Sequence, residues 1–474
     1  MESVNRTYST AKGAGLQNLD EPTLLPLSRF IVETDFQSIP KDIIQQALLS
    51  LVDTLGCILR GFTLEGAKEA IKVEKEMSGK EEATIIGAGD RVSMQSAARV
   101  NGYMGDIMEF NDLIYGHSGI GIIPTSLAVA ESLKASGKQL LTSIVVGYEV
   151  SGRIYRAYYD YKKDLDECCV LAVSIPNSLG AAAVASKLFC LDTESTFHAM
   201  NIAGSLVGMC PAESLEKGGT VKVYMFGGWP AYVGIYSALC AKNGITGTPS
   251  ILEGKKGLFS TLANTFDLTP LIDGLGKTWA LEKPRRKAHA CCGATHASID
   301  AALAIMADHG ISLEEIERVD ISMSPYAIEL VGGERPPSAL ASKFSVRYTV
   351  AVAMRKMSGI MPEDTFEEEY HKYMASGIQQ LMEKIHIRPE ASYQHYSKCS
   401  VKISTRDGRA YTKQIEHPKG DPENPLTKSE IEEKFRRVVE PIFERVQSER
   451  IVDEVYVLEQ KDTILDLVGL LVAK

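Results

Sequence analysis

The chain has 474 residues, 45 % of them hydrophobic and 24 % charged, with a formal net charge of −10. That is the make-up of an ordinary soluble globular protein with two or three domains and a large buried core. The negative balance argues against nucleic acid or an anionic membrane as a general partner, but a local basic pocket can still oppose the global sign and hold an anionic small molecule.

Residues 1–22 read as a loosely held arm, polar and without the apolar centre of a signal peptide. Pro40 opens a long helix whose apolar positions, Ile43, Ile44, Ala47, Leu48, Leu51, Val52, Leu55, Ile58 and Leu59, recur every three or four residues. Similar periodicity predicts helices near 94–109, 124–136, 139–158, 172–188, 195–209 and 229–243, many rich in small residues. No run of about 18 apolar residues is present, so no membrane span is expected. After about residue 281 the texture changes. Residues 318–323 alternate like a strand, and Lys398–Ser404 and Ala410–Ile415 flank Arg406-Asp407-Gly408 as a hairpin. Helices are predicted between these strands near 295–309, 341–358 and 366–384. A turn-rich segment, Pro418–Pro425, then leads to Thr427 and Glu430, the signature of a capped helix over 428–438.

The nine cysteines include no C-x-x-C pair, which excludes zinc-ribbon, ferredoxin and thioredoxin readings and fits reduced thiols in a cytoplasm. Gly116, Gly121 and Pro124 do not make a nucleotide fingerprint, because no strand precedes them. His198, His309, His371, His386, His395 and His417 are isolated and read as structural or exposed.

Three segments carry chemistry. The first runs from Asn101 through Asp106, Glu109 and Asp112 to His117: acids, an amide and an imidazole at a predicted helix end. Asp106 and Glu109 are expected to share a helix face, and a carboxylate beside a histidine suits acid–base work. The second is Glu216–Lys222 with Gly227-Gly228, where glycine pairs bracket Lys222 and Tyr224 and permit close ligand approach. The third, Lys287 to His296, packs Lys287, His289, Cys291, Cys292 and His296 between a basic run and a helix start, a natural anion site. In it Lys287 is expected to hold a carboxylate, with His296 or Cys292 near the reacting carbon. For each segment the competing reading is a solvated loop or a packed helix end.

Taken together these segments resemble the MmgE/PrpD family. Asp53-Thr54-Leu55-Gly56, Ala83-Thr84-Ile85-Ile86-Gly87, Ala97–Gly102, Lys287–His296, Phe344–Tyr348 and Pro418–Pro422 carry the likeness by their order and spacing. The resemblance implies a mainly α fold: a large all-helical domain from residues 1–281 and 426–474, with a smaller α+β lid inserted at 282–425. It implies a homodimer, a site between the domains and no metal or organic cofactor. It matches Glu109 to a family aspartate and carries over Asp112, His117, Lys222, Lys287 and His296. Leu171 falls where the decarboxylase has a histidine, and Leu113 where a small residue is usual.

The function so implied is a cofactor-independent lyase, a dehydratase or decarboxylase of a di- or tricarboxylate such as 2-methylcitrate or cis-aconitate. Lys222, Lys287 and Asn101 are expected to bind the substrate. His117 and Glu109 or Asp112 would move protons, with Cys292 or His296 facing them. The alternatives are an epimerase of an imino- or amino-dicarboxylate, a non-catalytic binding protein, and a redox or metal protein built on Cys291-Cys292.

Overall fold

The computed structural model describes residues 21–77, 79–163, 169–211, 213–216, 223–393 and 397–473. The chain is mainly α. Helix Lys41–Gly61 starts directly after Pro40 and buries most of its length. By length and composition it could cross a membrane, but its most apolar stretch is 83 % buried inside the protein, so it is a core helix. Met94–Asp106, Gly119–Leu133 and Gly137–Tyr158 pack against it, and Ser174–Leu188, Thr193–Ser205 and Trp229–Lys242 form the next layer outward. Their starts follow local chemistry. Ser93 and Asp192 accept amide hydrogens as N-caps, and Ser136 with Gln139 closes a capping box.

The second apolar core is built from residues 290–403, with Cys57, Met108, Phe110 and Val438 at its border. Its four strands lie in the order Ile385–Pro389, Ile316–Met323, Cys399–Thr405, Ala410–Ile415. The first pair is parallel and the others antiparallel, so Val319 sits between Ile385 and Ile403. Alternation buries Val319, Ile321, Met323, Val401 and Ile403 in the core roofed by helix Gly293–His309, on which Val346–Lys356 packs in turn. The hairpin turn at 406–408 is as the sequence predicts, with Gly408 at φ 86°.

Three details of the second core differ from the sequence reading. The helix predicted over 341–358 begins at Val346, after a short turn Ala339–Ser342, because Ser345 caps it. The helix predicted over 366–384 is two, Glu367–Ala375 and Ile378–Glu383, parted by Gly377 at φ 83°. The strand Ile385–Pro389 was not foreseen, since its outer residues are polar and exposed.

Thr427 and Glu430 cap Lys428–Val439. This helix returns to the first core: Ile431, Phe435 and Val439, then Ile451, Val455, Leu458 and Leu467, bury among the N-terminal helices. Gly56 makes the room, since a methyl group there would lie 3.1 Å from the Phe435 ring. The segment that joins the two cores at 283–292 touches both: Arg286 donates to Gln46 and Ser50 of the first long helix, and the Lys287 carbonyl accepts from Lys434 of the last helical unit.

Candidate active site

The helix expected to carry Asp106 and Glu109 on one face ends at Asp106. From there the chain turns sharply: Glu109, Tyr115 and His117 all have positive φ, at 52°, 47° and 67°. They are three of the seven non-glycine residues with that conformation among the described residues. Each costs on the order of 1 kcal/mol and persists only where surroundings over-determine it. The strain aims Glu109 and His117 at each other instead of along a helix.

Glu109 Oε1 lies 2.8 Å from Lys287 Nζ and 3.6 Å from His117 Nε2. Lys287 also donates to the Glu109 carbonyl at 2.9 Å. Lys287 is 1 % exposed, Glu109 2 % and His117 8 %. A charge this deep is tolerated only when it is paired, so the ammonium and the carboxylate require each other.

Behind this trio stands a second polar layer. Asn111 Nδ2 donates to the Asp112 carbonyl at 3.1 Å and lies 2.8 Å from His117 Nδ1. Asp112 accepts from the Gly119 amide at 3.1 Å and from the Tyr148 hydroxyl. Burial is the main cause that lifts its carboxyl from 3.8 to about 6, with the Tyr148 bond pulling the other way. Gly119 has no room for a side chain, since a Cβ would sit within 2.8 Å of Thr54 Oγ1 and Tyr148 Oη. Asn177 Nδ2 donates to the carbonyls of His117 and Phe226, and the Phe226 ring lies 5.8 Å from the imidazole.

The 287–296 segment brings the rest. Cys292 precedes helix Gly293–His309 and gives its amide to the Lys343 carbonyl at 2.9 Å. His296 faces the Cys291 carbonyl at 3.3 Å, so Nε2 carries its hydrogen. Burial above all, then His289, Lys287 and Arg285, holds its ionisation well below the ordinary histidine range, and it is uncharged. His289 meets it edge-on at 5.0 Å and is anchored to Asp300 at 2.8 Å. Burial pushes the Cys291 thiol up, which speaks against the thiolate that a metal or redox role needs.

Other expected residues do different work. Asn101 spends its amide on the backbone, accepting from Ile86 at 3.0 Å and donating to Thr84 at 3.1 Å, and does not join the cluster. Gly227-Gly228 serves helix packing: a Cβ on Gly102 would touch Gly227 and Gly228 at 2.8 Å. Tyr224–Gly228 forms a π-helical turn, not a flexible loop. Leu171 pairs with Cys210 in a two-residue strand and joins Ile120, Val173 and Phe226 in a small apolar cluster beside His117. Lys222 and His395 lie outside the described residues.

Sequence reading passed over three groups that the fold brings in. Lys343 donates to the Ile107 carbonyl at 2.7 Å. Lys434, from the last helical unit, donates to the carbonyls of Phe110 at 2.7 Å and Lys287 at 2.9 Å and pairs with Asp53 at 2.7 Å. Asn111 sits in the E-F-N-D run between two residues that were singled out. Only Asn111 had a local signal, its place among acids; the lysines come from segments more than 230 residues away, at separations of 236 and 324.

Residues 26–271 match the MmgE/PrpD N-terminal domain and residues 289–460 the MmgE/PrpD C-terminal domain. A cis-aconitate decarboxylase-like protein of Aspergillus oryzae is 27 % identical over 94 % of this chain and 96 % of its own length. The human cis-aconitate decarboxylase is 26 % identical over 83 % of each chain. An alkylcitrate dehydratase of a fungal species is 24 % identical over 86 % of each.

Proposed function

The chain belongs to the MmgE/PrpD family, and from that premise we propose that it is a cofactor-independent lyase that dehydrates or decarboxylates a small di- or tricarboxylate, of the kind of 2-methylcitrate or cis-aconitate. The observation that carries this reading is the buried Glu109 carboxylate set between the Lys287 ammonium and the His117 imidazole. Dehydration next to a carboxylate removes a proton from carbon and expels hydroxide, which needs a base and an acid. Decarboxylation releases CO2 and leaves a carbanion that one acid must protonate. Both build charge on the remaining carboxylate, which a fixed cation in a water-poor site stabilises strongly. Lys287, with Lys222 as the second cation, grips the substrate; Glu109, with His117 beside it, serves the proton transfer; His296 and Cys292 close the far wall.

The family names of the relatives support water or CO2 loss from carboxylates, and the neutral buried His296 and Cys291 suit a wall that excludes water. A homodimer in the cytoplasm belongs to the same proposal.

The test is incubation of the purified protein with alkylcitrates, citrate and cis-aconitate in deuterated water, followed by NMR and mass spectrometry. Loss of water, or loss of CO2 with one deuteron gained at carbon, is expected. Exchange of an α-proton without loss of either would make it an isomerase instead. No change with any di- or tricarboxylate, together with unaltered carboxylate binding, would leave a binding protein.

A further inference from the structure

The Asn111 side chain decides the state of His117. The Asp112 carbonyl oxygen can only accept, so the Asn111 atom 3.1 Å from it is the NH2 nitrogen. Turning the amide over would press Oδ1 against that carbonyl, acceptor against acceptor. The second hydrogen of the same NH2 then points at His117 Nδ1, 2.8 Å away. Nδ1 must present a lone pair there. An imidazolium, or a neutral ring with hydrogen on Nδ1, would set N–H against N–H in a site where Asn111 is fully buried. The one ring hydrogen is thereby left on Nε2, the atom 3.6 Å from Glu109 Oε1.

We infer that Asn111 is a positioning residue that locks His117 as the uncharged Nε2–H imidazole, so that His117 acts on the substrate as a hydrogen-bond donor and Glu109 is the group that carries the proton. This rests on the lyase reading for its substrate, but the tautomer itself does not. A neutral imidazole is too weak an acid to give up its last proton, yet it is a strong donor to an oxygen on which charge is building. Glu109, whose Oε1 lies 2.8 Å from Lys287 Nζ, is the carboxylate beside it that can accept and return a proton. The positive φ of His117 and the Asn177 bond to its carbonyl fix the ring in the orientation that meets Asn111. Among the described residues, the ionisable groups near the imidazole are Glu109, Lys287 from the 283–292 segment, and Asp112 with Tyr148 behind Asn111.

Long-range proton–nitrogen NMR on the full-length protein labelled with 15N-histidine reads the tautomer directly, with His117→Gln to assign the signal. The expected spectrum at neutral pH has hydrogen on Nε2 and a bare Nδ1. Asn111→Asp offers Nδ1 an acceptor and a negative charge, so it moves the hydrogen to Nδ1 or charges the ring. In the presence of a turned-over substrate the same variant moves the acid limb of the kcat/KM profile to higher pH and lowers kcat by about tenfold or more, with KM changed much less. Wild-type His117 protonated at Nδ1, or an Asn111→Asp ring identical to wild type, overturns the inference. If no substrate is ever turned over while the wild-type ring shows the Nε2 hydrogen, the lyase reading fails and the tautomer lock stands. Asn111→Ser serves as a second variant if the aspartate does not fold; it removes the donor and releases the ring to a mixture of tautomers.

Discussion

Glu109 and Lys287 are separated by 178 positions in the chain, yet their side chains meet at 2.8 Å with neither more than 3 % exposed. One comes from the helical core, the other from the segment that leads into the second core. Removing one partner strands the other as a buried charge, which typically costs about 3–5 kcal/mol. Lys287→Met should therefore destabilise the protein severely and abolish turnover. Lys287→Met combined with Glu109→Gln should recover part of the stability and none of the activity. Denaturation midpoints across the double-mutant cycle check this; additive losses would show that the pair is not coupled.

Asp112 sets a pH signature. Its carboxyl titrates at about 6 in the fold against 3.8 ordinarily, because burial disfavours the charge. The folded state thus holds the proton where the unfolded chain has lost it. The stability this gives is fully present below about pH 4 and is lost as pH rises through about 6. Asp112→Asn lacks that loss, so it should gain on wild type between pH 4 and 7 by up to about 3 kcal/mol. Thermal midpoints of both proteins across that range test it, and a constant difference would refute it.

Lys434 grips the carbonyls of both Phe110 and Lys287 and balances Asp53. Lys434→Met removes the direct ion-pair partner of Asp53 and frees two backbone segments of the site. A fall in kcat of about a hundredfold is expected from the loosened geometry. Adding Asp53→Asn should restore thermal stability but not kcat. Recovery of both would mean that Lys434 acts only through charge.

Gly420 presses on the strand of backbone that presents Lys287. It has φ 96°, and a Cβ there would lie 1.9 Å from the Arg286 carbonyl oxygen. Its own carbonyl accepts from the Arg286 amide at 3.0 Å. Gly420→Ala should displace residues 285–287 and cut kcat/KM by about tenfold or more while leaving helical circular dichroism intact. Unchanged kinetics would mean the segment moves aside without effect on Lys287.

Much of this was legible in the chain. Periodicity located the helices because their apolar faces are broad, and Thr427 with Glu430 marked a true capping box. Glu109, His117 and Lys287 were singled out from residue type and neighbourhood, and they converge. What stayed hidden has physical causes. Positive φ at Glu109 and His117 is imposed by packing and leaves no trace in residue type, so periodicity alone runs the helix on past Asp106, where it ends. Asn101 reads like a site amide, but its hydrogen bonds go to the Thr84–Ile86 backbone, a partner no spacing rule reveals. Lys343 and Lys434 sit in ordinary amphipathic surroundings and become site residues only through tertiary contact.

The reach of Lys434 back to Phe110 has a consequence for biosynthesis. While the polypeptide is being made, the earlier helices can collapse and the sheet can form, as domains do during translation. Until residue 434 has cleared the ribosome, though, Lys434 holds neither carbonyl and Asp53 lacks its direct ion-pair partner. The order of synthesis therefore sets this clasp late, after residues 290–403 of the second core have been made.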